Sequence, residues 1–119
     1  MKYMIMMFGS AAEMMETQSP DSIREMIAFM QNLDVELRNA GELVFNAGLA
    51  DGSTAKTVSL VDGLPVTTDG PFAEAKESLV GYWVLDVENE ARAIEVASTI
   101  VSYARKVEVR RVMDAPPEV

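Results

Sequence analysis

The chain has 119 residues and a formal net charge of -9, from 10 basic and 19 acidic side chains. That length supports one hydrophobic core rather than two, the 49% apolar and 24% charged composition excludes a disordered or fibrous chain, and the acidic excess argues against nucleic acid, whose binding needs clustered Lys and Arg. Cysteine and histidine are both absent, which removes disulfides, thiolate nucleophiles, sulfur-ligated metals and the side chain most used for proton transfer near neutral pH.

Tyr3 to Phe8 is an unbroken apolar run stopped by Gly9-Ser10, the pattern of a strand buried on both faces and shorter than the apolar core of a signal peptide. No apolar run is long enough to span a bilayer, so no membrane partner is expected. A Met- and Glu-rich stretch follows without an assignment. Ser19-Pro20-Asp21 then supplies an N-cap, a proline for the first helical position and an acid for the first turn. Ile23, Met26, Ile27, Met30, Leu33 and Leu37 recur at three- and four-residue steps, and Gly41 is a left-handed stop. These signals predict a helix from Pro20 to Asn39.

Leu43 to Leu49 reads as the second strand, closed by Asp51-Gly52. Lys56 to Val61 and Leu64 to Thr68 flank Asp62-Gly63, a strong hairpin signal. Pro65 has no N–H for a ladder, which places its strand at an edge. Phe72 to Ser78 suits one or two helical turns. Leu79 to Val87 is a further strand apolar on both faces, and Asn89 caps a helix that presents Ala93, Ile94, Ala97, Ile100 and Val101 on one side. Lys106 to Arg110 alternates as a half-exposed strand, and residues 115–119 form a loose tail. No repeat or linker divides the chain, so 1–119 is expected to be one domain.

With the inserted hairpin set aside, the order is βαββαβ, an α+β arrangement of the ferredoxin-like, split βαβ kind. Its first and third strands are the central pair, and these are the two segments that are apolar on both faces. Two helices cover only one face of such a sheet. A second copy packed by two-fold symmetry would cover the other, so a homodimer is expected.

The stretch Val66 to Glu77, containing Asp69-Gly70-Pro71-Phe72 and followed by Gly81-Tyr82, resembles the signature of the DGPF branch of the YCII-related family. The opening Met-Lys-Tyr-Met strand, the long first helix and the closing strand near Val107 to Arg110 extend the resemblance over nearly the whole chain. It implies a dimeric α/β-barrel related to the ferredoxin-like fold, and for some members a setting beside extracytoplasmic-function sigma factors. In the wider family it also implies a His and Asp pair in an active site. Only Asp69 has a counterpart here, because the chain has no histidine.

Asp69 is therefore the candidate catalytic carboxylate, with Lys76, Tyr3 or Tyr82 as proton donor or anion holder. Gly70, Pro71, Phe72, Glu74 and Glu77 complete the candidate ligand-binding set. The same residues equally suit a structural turn, in which Asp69 bonds backbone amides, Gly70 takes an unusual dihedral and Phe72 packs beneath. Glu74 and Glu77 are read as a solvated face and no metal is assigned, since oxygen-only sites need several converging ligands. No phosphate loop, nucleophile elbow or zinc spacing is present, and no cofactor is expected.

The leading functional expectation is a homodimeric, cofactor-free small-ligand-binding or regulatory module, with an apolar cleft between sheet and helices edged by the Asp69 to Glu77 loop. One alternative is an enzyme on a small organic substrate that uses Asp69 as acid or base. Another, from the resemblance alone, is a protein-interaction subunit linked to sigma-factor regulation. The missing cysteines fit a reducing, cytoplasmic setting.

Overall fold

The computed structural model describes residues 1–71 and 78–118. Among them the elements run β1 (Lys2–Gly9), α1 (Ala11–Thr17), α2 (Pro20–Asn39), β2 (Leu43–Gly48), a 3-10 turn (Gly52–Thr54), β3 (Lys56–Val61), β4 (Leu64–Asp69), β5 (Ser78–Asp86), α3 (Glu90–Ala104) and β6 (Val107–Arg111). The fold is α+β. One antiparallel sheet has the order β2-β5-β1-β6, and β3 pairs only with β4. The two strands that are apolar on both faces, β1 and β5, hold the centre of the larger sheet.

Local chemistry sets the helix ends. Ser19 Oγ accepts from the Ser22 N–H at 3.1 Å and Pro20 opens α2 without wasting a donor. At the other end Gly41 takes φ +72°, and the Glu42 N–H reaches back to the Leu37 carbonyl at 2.8 Å, closing the last turn. Asn89 Oδ1 caps α3 by accepting from the Arg92 N–H at 3.0 Å.

One face of the sheet meets both long helices. Tyr3, Ile5, Trp83 and Leu85 pack there with Leu33 and Leu37 of α2 and with Ala93, Val96, Ala97 and Ile100 of α3. Side chains alternate along a strand, so Met4, Met6, Tyr82 and Val84 point to the opposite face, where none of the described helices lies over them and each is half-buried. Gly81 permits a close strand crossing: a Cβ there would stand 3.2 Å from the Ala47 carbonyl oxygen. A bulge between Met7 and Phe8 shifts the β1–β5 register just before the sheet's end.

Four sequence expectations shift. The Met- and Glu-rich stretch holds a helix, α1, begun by Ser10 Oγ accepting from the Glu13 N–H at 3.1 Å. On α2, Ile27 turns outward at 46% exposure while Phe29 joins the packing. On α3 the buried stripe is Ala93, Val96, Ala97 and Ile100, and Ile94 is 48% exposed, because the i, i+3, i+4, i+7 set from Ala93 includes Val96 and excludes Ile94. The last strand begins at Val107 rather than Lys106, since a tight turn at Arg105 occupies the junction. The helical turns expected after Pro71 lie outside the described residues, apart from Ser78, which belongs to β5.

The β3–β4 hairpin turns through Asp62 (φ 52°) and Gly63 (φ 80°), the left-handed pair that a two-residue hairpin loop needs. Apart from half-buried Thr57, its strand residues are exposed. The radius of gyration is 16.6 Å, against about 13.5 Å for a compact chain of this length, as an arm that pairs only with itself requires.

Candidate functional site

Asp69, Gly70 and Pro71 lie together at the base of the hairpin. Asp69 forms an ion pair with Lys56 across the first rung of the β3–β4 ladder, and its side chain is 87% exposed. Gly70 takes φ +98°, a conformation that favours glycine. Its N–H bonds the Ala55 carbonyl at 2.8 Å, and its own carbonyl accepts from Thr57 Oγ1 at 2.8 Å. Beside this turn lies an open cleft of about 590 Å³, lined by Leu49, Gly52, Thr57, Pro71 and Ser78 among others. A Cβ on Gly52 would come within 2.6 Å of Ser78 Oγ, so a side chain there would have to displace that hydroxyl.

Of the other described residues in the sequence-derived set, Tyr3 and Tyr82 do not join them. Tyr3 is 4% exposed in the helix-side core. Tyr82 lies on the opposite face of the sheet, its ring 6.1 Å from that of Phe45. Alternation along β1 and β5 fixes this separation: Tyr3 stands opposite Leu85, and Tyr82 opposite Met6. Phe72, Glu74, Lys76 and Glu77 lie outside the described residues. Asp69 therefore has a cation beside it and, among the described residues, neither tyrosine.

A second polar constellation was not anticipated. Asp34 on α2 accepts from Trp83 Nε1 at 3.1 Å and from Asn46 Nδ2 at 2.7 Å, tying the helix to β5 and β2. Both donors are neutral and both carboxylate oxygens are used, which suits a tether more than a proton carrier. Arg92 forms a similar clamp at the other end of the sheet. Its Nε and Nη2 hold both oxygens of Glu42, at 2.8–3.2 Å, and its Nη1 reaches Glu95 at 2.7 Å. The hydrogen bonds that Arg92 donates hold the Glu42 carboxyl below its ordinary value, and the same bonds raise the Arg92 guanidinium.

The larger concavity lies where β1 leaves the sheet. A cleft of about 620 Å³ opens between the ends of β1 and β5, α1, α2 and the last turn of α3. Met7, Met14 and Met26 line it with Phe8 and Tyr103, while Glu13, Arg105 and Lys106 stand among its polar wall residues. The Tyr103 ring is fixed by Phe29, 4.7 Å away and tilted by 32°. Such a cleft falls in the size range of small-molecule sites and combines an apolar lining with a few polar groups.

Its far wall is strained. Arg105 ends α3 with φ 62° and ψ -46°, while the Lys106 N–H bonds back to the Ala104 carbonyl at 2.7 Å. This is a γ-turn of positive φ, a rare conformation for a residue with a side chain, and it costs on the order of 1–3 kcal/mol. The sequence holds no glycine there to mark it. Ser10 and Glu13, at capping-box spacing, begin the helix α1 that walls the cleft on its other side.

Among the described residues no group of acidic side chains is arranged to hold a metal ion, and no helix is long and apolar enough to cross a membrane. A family model described as the YCII-related domain matches residues 1–116. No curated protein matches the chain.

Proposed function

The chain belongs to the YCII-related domain family, and from that premise we propose that it is a homodimeric small-ligand-binding or regulatory module of the family's DGPF branch. The observation that carries this reading is the methionine-lined cleft of about 620 Å³ beside β1. Methionine is unbranched and polarizable, so three of them around one cavity can adapt to more than one apolar ligand. The Asp69-Gly70-Pro71-Phe72 sequence supports the branch. A ferredoxin-like arrangement is supported by the order β2-β5-β1-β6, with α2 and α3 packed on one face.

Dimerisation is part of the proposal. Met4, Met6, Tyr82 and Val84 share a sheet face with Phe45, which is 56% exposed, and none of the described helices lies over them. A second copy of the same face would cover them symmetrically, giving the dimeric α/β-barrel. Sedimentation equilibrium at micromolar concentration should return twice the chain mass; a monomer throughout the range removes this part of the proposal.

The ligand-binding part is tested by a screen of small apolar fragments read by the methyl resonances of the methionines. Shifts at Met7, Met14 and Met26 are expected, and a screen that moves none of them overturns the reading. Enzymatic use of Asp69 is the alternative. Asp69→Asn keeps the size and removes the charge, so turnover that depends on the Asp69 carboxylate in a substrate screen would replace ligand binding with catalysis.

A further inference from the structure

We infer that the cleft beside β1 binds a small organic carboxylate, its apolar body laid against Met7, Met14, Met26 and Tyr103 and its carboxylate held by Arg105. The inference rests on the small-ligand reading above and specifies its chemistry. Three independent observations converge on it.

The first is charge. The chain carries 19 acidic and 10 basic side chains, yet this cleft is lined by two cations, Arg105 and Lys106, and one acid, Glu13. The Arg105 charge offers an anion a favourable contact here that the chain's net charge of -9 does not offer on average. The second is partnership. Arg92 and Arg24 are held by carboxylates, and Arg110 pairs with Glu108 at 2.7 Å. Among the described residues no carboxylate engages Arg38, Arg105 or Arg111, and of these three Arg105 alone lines the cleft.

The third is the backbone. A glycine would adopt φ 62° without strain, whereas an arginine is held there against its preference. The turn sets the residue at the junction of α3 and β6, directly at the cleft, and residues kept in such conformations cluster at ligand sites. A planar guanidinium matches a carboxylate in two parallel hydrogen bonds. One guanidinium beside an apolar lining fits a monoanion with an aryl or alkyl body better than a phosphate dianion, which needs more donors.

The test uses the full chain with three probes: phenylacetate, its uncharged amide phenylacetamide, and phenyl phosphate. Methionine-methyl spectra locate each probe, and titration gives its affinity. Phenylacetate should shift Met7, Met14 and Met26 and bind about tenfold or more tightly than the amide, as expected for a charge-assisted bidentate contact. Phenyl phosphate should not exceed it. Arg105→Gly should raise the midpoint of thermal unfolding by relieving the turn and should abolish the preference for the acid over the amide. Arg105→Lys should keep part of that preference.

Equal affinity of acid and amide at these methyls would overturn the carboxylate assignment while leaving a small-ligand site. Tighter binding of phenyl phosphate would replace the carboxylate by a phosphoryl ligand. Binding of phenylacetate in the titration with no shift at Met7, Met14 or Met26 would move the site and overturn this inference. An Arg105→Gly variant that keeps the full preference for the acid would remove Arg105 from the site, whatever its stability.

Discussion

The helix-covered face of the sheet and the β3–β4 hairpin both carry large aliphatic side chains, and these meet opposite fates. Ile5 and Leu85 are 0% exposed, whereas Leu60 is 76% and Leu64 67% exposed. Composition does not separate them; cover does. α2 and α3 each present a stripe at three- and four-residue spacing that lies across β1 and β5, while the hairpin pairs only with itself. Stability should accordingly reside in the sheet and its helices, with the hairpin and the open sheet face left for association.

Core truncation should give the largest effect. Leu85→Ala empties a fully buried position between β1, β2 and the helices, and about 3 kcal/mol should be lost in denaturant unfolding, within the 2–5 kcal/mol seen when Leu is cut to Ala in cores. A loss below about 1 kcal/mol would mean that the site collapses around the change, and the contrast with the hairpin would weaken. Trp83→Phe comes next. It keeps most of the ring but deletes the Nε1–H donor to Asp34, leaving a half-buried carboxylate with one partner fewer. A cost of about 1–2 kcal/mol is expected, and Asp34→Asn should be milder because an amide oxygen can still accept from one of the two donors.

The Glu42–Arg92 clamp sets a smaller effect with a distinctive pH dependence. The Arg92 side chain is 35% exposed, so solvent screening should keep the cost of Glu42→Gln near 1 kcal/mol. The hydrogen bonds from Arg92 lower the Glu42 carboxyl from 4.5 in the folded state. A carboxyl depressed by folding contributes stability that is present above its unfolded value and is lost as pH falls through the lower folded value. The gap between the wild type and Glu42→Gln should therefore stay constant at neutral pH and close on acidification below about 4.5. Donating to Glu42 raises the already strongly basic Arg92 guanidinium further, so Arg92 stays charged throughout and adds no slope near neutrality. A gap that widens in acid would show that the clamp is not what holds β2 to α3.

Most of the fold was legible because strong local signals agreed with tertiary need. The Ser19-Pro20 start and the Gly41 stop bounded α2, and Asp62-Gly63 named the hairpin turn. The unbroken apolar runs of β1 and β5 foretold their central places in the sheet. What failed was local information that tertiary packing overrode. Ile94 is as apolar as Val96, but only Val96 falls on the arc of α3 that meets the sheet. The sequence-derived site mixed the two sheet faces, because Tyr3 and Tyr82 were joined by residue type before register had set them apart. The β1 cleft was invisible in another way: its lining comes from five separated elements, and residue type gives no warning that Arg105 adopts a glycine-like φ.

The smallest expected effect decides what the hairpin is for. Leu60→Ser removes an aliphatic side chain that is 76% exposed on a hairpin whose strands pair with each other. Within one protomer the change should stay inside about 0.5 kcal/mol, as surface substitutions do. If a twin covers the hairpin, that side chain is buried only in the assembly, and the loss must then appear as a weaker dimer: little change in unfolding at high dilution and a growing deficit as concentration rises. Phe45→Ser on the open sheet face provides the control, since the proposed dimer buries that face directly. If Phe45→Ser weakens association and Leu60→Ser does not, the sheet face alone is the interface, and the apolar hairpin remains outside it.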